Sequence, residues 1–125
     1  MSTVLIVEDN EKNLKLVRDV LQVKGYRTLE AVTATAGLAL AREKLPDLIL
    51  MDIQLPDIDG ITALGMIRKD KRLAGTPVVA VSASVMPDEQ QKIVASGFDS
   101  YITKPINMKV FLETVERLAG KPKGT

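Results

Sequence analysis

The 125-residue sequence predicts an α/β fold of (βα)5 type, a doubly wound parallel sheet of five strands with helices on both faces. Two observations predict it. Three wholly apolar tetrads, at residues 4–7, 48–51 and 78–81, are each bounded by polar or turn residues, as suits short strands covered on both sides. Between them lie longer segments whose apolar residues recur with helical period.

The first tetrad, VLIV, is followed by a helix over residues 12–23. Leu14, Leu16, Val17, Val20, Leu21 and Val23 occupy one half of its wheel, and Lys12, Lys15, Arg18, Asp19 and Gln22 the other. Gly25 stands where that helix should stop. Residues 27–31 give a weaker second strand, and the Ala- and Leu-rich stretch 34–44 a second helix ending before Pro46. After the third strand, Asp59 is the expected N-cap of a helix over 61–69. After the fourth, Pro87, Asp88 and Glu89 suit a first helical turn, in a segment that closes near Gly97. Residues 100–103 are a second weak strand. The last helix begins after Asn107 and carries Met108, Phe111, Val115 and Leu118 on one stripe. One domain is expected over residues 1–120, starting at a native Met1, with 121–125 as a short flexible tail.

Composition removes several function classes. Hydrophobic residues make up 46% and charged residues 26%, the balance of an ordinary folded domain rather than a disordered chain. Lys and Arg (17) nearly match Asp and Glu (16), so no basic excess points to a nucleic-acid partner. The absence of Cys excludes disulfides and thiolate-bound metals, and the absence of His excludes Ser-His-Asp triads and phosphohistidine within this chain. No apolar run reaches membrane-spanning length and no signal-peptide pattern opens the chain, so a cytoplasmic protein is expected. No Gly-x-Gly occurs, and Gly120-Lys121 precedes Pro122, so neither a dinucleotide fingerprint nor a P-loop is present.

The chemistry lies immediately after the strands. Glu8 and Asp9 follow the first, Asp52 the third, Ser82 the fourth and Lys104-Pro105 the fifth. In a parallel sheet these positions share one edge, where ligands bind. Three carboxylates gathered there repel one another and call for a cation. Mg²⁺ suits an all-oxygen site, needs only one or two carboxylates and accepts phosphate oxygens, which leaves one acid free as a nucleophile. Asp52 is the best candidate, because it closes a central strand with the other acids and Lys104 on either side. Taken singly, Glu8 and Asp9 could cap the next helix, Tyr101 could be plain core packing, and Asp57 and Asp59 read as turn and cap residues.

Five stretches in order, VLIVEDN (4–10), DLILMD (47–52), LPDIDG (55–60), VSA (81–83) and YITKP (101–105), make the whole chain resemble the receiver domains of two-component response regulators. The resemblance implies a flavodoxin-like, CheY-like sheet of order 2-1-3-4-5. It implies Asp52 as phosphoacceptor, Glu8, Asp9, Asp52 and the backbone carbonyl of Gln54 around Mg²⁺, and Lys104 on a phosphoryl oxygen. It further implies a cis Lys104-Pro105 bond and Ser82 with Tyr101 as paired switch residues, Ala83 and Ser84 leaving room for the ring. Ser82 replaces the more frequent Thr, and Ile106 stands where Phe is usual. The partners implied are a histidine kinase or histidine phosphotransferase and a downstream protein bound on the α4-β5-α5 face, near residues 85–94 and 107–118. The chain would be a monomer that could dimerise on phosphorylation, catalysing only its own phosphorylation and dephosphorylation. Within the family it is most similar to single-domain regulators of the DivK type, which act on bacterial cell-cycle kinases. Chemotaxis-type motor binding, a phosphorelay shuttle or phosphate sink, an Asp-nucleophile phosphatase and a flavin-binding domain are the competing readings. Gln54 argues against the phosphatase, since it occupies the place where such enzymes carry a second Asp as general acid. The acidic Glu8-Asp9 loop argues against a flavin phosphate.

Overall fold

A computed structural model describes residues 2–83 and 86–120. Expectations resting on Met1, Ser84, Val85 and the tail 121–125 lie outside the described residues. Five strands, β1 (Thr3–Val7), β2 (Arg27–Ala31), β3 (Leu48–Asp52), β4 (Val78–Ser82) and β5 (Ser100–Thr103), alternate with α1 (Glu11–Val23), α2 (Ala34–Lys44), α3 (Gly60–Lys69), α4 (Pro87–Ala95) and α5 (Met108–Ala119). All pairings are parallel and the order is β2-β1-β3-β4-β5, as the resemblance implies.

The unbroken apolar tetrads follow from burial on both faces. Successive side chains of a strand point to opposite sides. On one side, Leu5, Val7, Ile49, Met51, Val78 and Ala80 pack with Leu38 of α2, Leu64 and Ile67 of α3 and Ile93 of α4. On the other, Val4, Ile6, Leu48, Leu50 and Val79 pack with Leu14, Val17 and Leu21 of α1 and Phe111 and Val115 of α5. Helix boundaries follow local capping. Helix α1 opens one residue before the predicted Lys12, because the Asn10 side chain accepts from the Asn13 N–H and caps it. Asp59 caps α3 as predicted, accepting from the Thr62 N–H, and α4 begins at Pro87. Gly25 and Gly97 take positive φ (95° and 106°) after α1 and α4, the conformation that ends a helix at little cost for glycine.

At the edge opposite the acidic residues, Arg68 bolts three segments together. Its guanidinium donates to the carbonyls of Ala74 (3.1 Å) and Thr76 (2.7 Å) and to Asp99 Oδ2 (2.9 Å), and the same Asp99 oxygen accepts the Val78 N–H (2.8 Å). The end of α3 is thus tied to the starts of β4 and β5. Hydrogen bonds to charged groups contribute about 1.5–3 kcal/mol each when well shielded, and this side chain is partly exposed. Arg68→Ala is therefore expected to lower the unfolding free energy by about 1–3 kcal/mol, read as an earlier urea midpoint at unchanged slope.

Candidate functional site

The strand register brings the sequence-predicted residues to one edge. Val7 of β1 pairs with Met51 of β3, so Glu8 and Asp9 leave the sheet beside Asp52. Asp52 in turn pairs with Val81, and Ser82 with Thr103, which places Ser82 and Lys104 at the same edge. Backbone hydrogen bonds fix these exits: Glu8 N–H to Ala31 O (2.9 Å), Ile53 N–H to Val81 O (3.0 Å) and Lys104 N–H to Ser82 O (2.8 Å). The chain leaves β1 and β3 toward opposite faces of the sheet, so the site lies where strand order reverses.

Lys104 is the centre of the arrangement. Its Nζ lies 2.9 Å from Asp52 Oδ2 and 3.0 Å from Glu8 Oε1, joining both buried carboxylates through one ammonium. Asp52 Oδ1 accepts the Gln54 N–H (2.9 Å), and Glu8 Oε2 accepts the Asn10 N–H (3.2 Å). Burial, followed by the hydrogen-bonding contact with Asp52, pushes the Glu8 carboxyl up to about 7. Burial works against the Lys104 ammonium, yet its hydrogen bonds to Asp52 and Glu8 outweigh that and hold it above the ordinary lysine value. Asp9 is exposed at the mouth of the cluster. One carboxylate oxygen each from Glu8, Asp9 and Asp52 lie within 4.8 Å of one another. Three carboxylates against one ammonium leave a surplus of negative charge in a partly dry site. That all-oxygen donor set fits a hard divalent cation.

The remaining predicted residues sit around this cluster. Ser82 is buried at the end of β4. The Lys104-Pro105 peptide is cis. Tyr101 stands apart: it is half-buried on β5, and its hydroxyl donates to Gln90 Oε1 of α4 (3.2 Å). Its ring borders a groove of about 420 Å³ lined by Pro87, Gln90, Gln91, Val94 and Ala95. Asp57, read from sequence as a turn or cap residue, does cap a helix, but it is α2 rather than the helix that follows its own loop. Sequence reasoning also missed two features of the surroundings of Asp52. The Lys104–Glu8 contact joins residues from opposite ends of the chain. Gly60 packs directly on the backbone after Asp52, where a Cβ would lie 2.9 Å from Ile53 Cα and 3.0 Å from Asp52 O. The Gly that follows Asp59 in the LPDIDG stretch was the available signal for the second.

With this geometry, similarities to known proteins become informative. The response regulator receiver domain family matches residues 4–116. The polar-differentiation response regulator DivK of Brucella ovis is 43% identical over 118 residues, covering 94% of this chain and 96% of the relative. Among solved structures, the chemotaxis response regulator CheY4 of Vibrio cholerae superimposes with a TM-score of 0.88 at 27% identity, over 94% of this chain and 98% of that one. The receiver domain of a sensor histidine kinase from Pseudomonas aeruginosa PAO1, solved with a magnesium ion coordinated in its active-site cleft, gives 0.88 at 27% identity, over 96% and 98%.

Proposed function

The chain belongs to the response regulator receiver domain family, and from that premise we propose that it is a single-domain, DivK-like phosphorylation switch whose acceptor is Asp52. The observation that carries this reading is the Lys104 ammonium 2.9 Å from Asp52 and 3.0 Å from Glu8, within a cluster of three carboxylates. An Asp52 carboxylate oxygen attacks the phosphorus of a phosphohistidine on a histidine kinase or histidine phosphotransferase. The P–N bond breaks and its electron pair returns to the imidazole. Lys104 then exchanges part of its contact with Asp52 for a phosphoryl oxygen, stabilising charge as it develops. Glu8, Asp9, Asp52 and the carbonyl of Gln54 would hold Mg²⁺, which when bound offsets the charge of the phosphoryl oxygens.

The output follows from added charge. A phosphoryl group brings about −1.5 to −2 charge and strong acceptor oxygens to the site. The Ser82 hydroxyl donates to one of them, drawing the end of β4 inward. Tyr101 leaves Gln90 and turns into the space released, reshaping the groove between α4 and β5. Val94 and Val110, both about half exposed, flank that face and suit a downstream protein target. The likeness to a polar-differentiation regulator, DivK, favours a role in cell-cycle signalling.

The test is intact-mass spectrometry after incubation with acetyl phosphate, with Mg²⁺ or with chelator, followed by trapping of the acyl phosphate and peptide mapping. The expected result is one added phosphoryl group that requires Mg²⁺, is lost in hydroxylamine and maps to Asp52. A stable modification on Ser or Thr, or one indifferent to Mg²⁺, would overturn the reading.

A further inference from the structure

The β3–α3 loop, residues 53–59, carries the peptide of Gln54 past the acceptor. Its start is well fixed: Ile53 N–H bonds to Val81 O, Ile53 O accepts from Gly60 N–H (2.9 Å), and Gln54 N–H bonds to Asp52 Oδ1. The next anchor is the carboxylate of Asp57. It accepts from the Ala34 N–H (2.9 Å, Oδ1), the Thr35 N–H (2.9 Å, Oδ2) and the Thr35 hydroxyl (2.6 Å, Oδ2). Helix α2 already has its own N-cap in Thr33, whose side chain accepts the Ala36 N–H (3.1 Å). The first two N–H groups of α2 are therefore satisfied from another loop, 22 and 23 residues away in sequence. The Thr35 hydroxyl, then the Thr35 and Ala34 N–H groups, hold the Asp57 carboxyl well below the usual carboxylate range.

We propose that Asp57 is a positioning residue for the cation site: by clasping the N-terminus of α2 it fixes the span of Gln54, Leu55 and Pro56, and so the place of the Gln54 carbonyl. This rests on the reading above, in which that carbonyl is a metal ligand. The short span works like a bridge between two piers, the β3 end at Ile53 and the α2 end at Asp57. Pro56 narrows its freedom further, by locking its own φ and restricting Leu55. Without the second pier the peptide after Asp52 can still form, but its carbonyl samples a wider arc. A ligand that must be immobilised on binding lowers affinity.

The experiment compares Asp57→Ala and Asp57→Asn with Thr33→Ala, each titrated with Mg²⁺ alone and followed by backbone amide shifts and by calorimetry. Thr33→Ala removes a cap from the same helix without touching the loop, so it reports what loss of helix stability does by itself. Expected are an Mg²⁺ dissociation constant raised about tenfold in Asp57→Ala, the size found when groups supporting metal ligands are removed, and a smaller rise in Asp57→Asn. Thr33→Ala should leave that constant unchanged while lowering the melting temperature. Hydrogen exchange without metal should show Ala34 and Thr35 amides losing protection in the Asp57 variants. Equal Mg²⁺ affinity in all three variants and wild type, or an equal loss in Thr33→Ala, would overturn the proposal. Failure of wild type itself to bind Mg²⁺ would overturn the reading of the cation site, and the proposal with it.

Discussion

Lys104→Met is expected to slow phosphorylation by acetyl phosphate by about two to three orders of magnitude, the usual loss when one preorganised charge partner of a transition state is removed. The same substitution should tighten Mg²⁺ binding. In the unphosphorylated protein the ammonium sits 2.9 Å from Asp52 and 3.0 Å from Glu8, so it already neutralises two of the carboxylates a metal would use. Removing it leaves two carboxylates, each 6% exposed at the side chain, without the ammonium that bridges them. Breaking one side of a buried ion pair typically costs about 3–5 kcal/mol. Part of that cost is avoided here, because the Glu8 carboxyl, already at about 7, rises further and takes up a proton. Binding of Mg²⁺ to the folded state should restore most of the remainder by mass action. Urea unfolding with and without Mg²⁺ checks this: the variant should gain more from the metal than wild type does. A metal-independent loss of stability would mean that Lys104 matters for packing rather than for charge, and an undiminished phosphorylation rate would remove it from the transfer step.

Much of the fold was legible because most of the sheet is buried on both faces. The three central strands are buried over residues 4–7, 48–51 and 78–81, and each of these stretches is an unbroken apolar run. The two weak strands are the two edges of the sheet. Only Ala31 of β2 and Ile102 of β5 are buried, which leaves Arg27, Glu30 and Ser100 free to be polar. The site was legible for a related reason. Charged residues directly after buried strands have no packing role, and a parallel sheet gathers them without further information. What the sequence could not carry were contacts decided by the distance between elements. Whether Asp57 reaches its own helix or α2 depends on loop geometry, and Arg68 finds Asp99 only because β4 and β5 start side by side. Tyr101 is an intermediate case. The resemblance makes Tyr101 of β5 a switch residue whose ring turns inward on phosphorylation, whereas its resting partner, Gln90 of α4, is a contact between elements that sequence does not carry.

Gly60→Ala is expected to lose stability even though helix propensity alone favours Ala by about 1 kcal/mol. Gly65, exposed within the same helix, supplies the contrast: a Cβ there meets nothing within 4 Å. Gly65→Ala should therefore stabilise the protein by about 0.5–1 kcal/mol. At Gly60 a Cβ would lie 2.9 Å from Ile53 Cα, 3.0 Å from Asp52 O and 3.1 Å from Ile53 Cδ1. A crowded side chain can rotate away, as Ile53 Cδ1 could. Backbone atoms can yield only by moving the loop, and these belong to the peptide that joins Asp52 to Ile53. Forcing extra volume into such a contact costs about 1–3 kcal/mol, which exceeds the gain in propensity. The Gly60 N–H bond to Ile53 O (2.9 Å) would be strained by the same displacement. The functional loss should exceed the stability loss, because the atoms displaced set the direction of the Asp52 carboxylate and misplacement of about 1 Å can cost a hundredfold in rate. Gly60→Ala should thus remain folded by circular dichroism at low temperature, melt earlier than wild type and accept phosphate from acetyl phosphate roughly a hundredfold more slowly. Gly60→Val, with a β-branched side chain in the same space, should be worse on both counts. Equal phosphorylation rates in Gly60→Ala and Gly65→Ala would show that the β3–α3 loop tolerates the shift, and that helix α3 does not hold Asp52 in place.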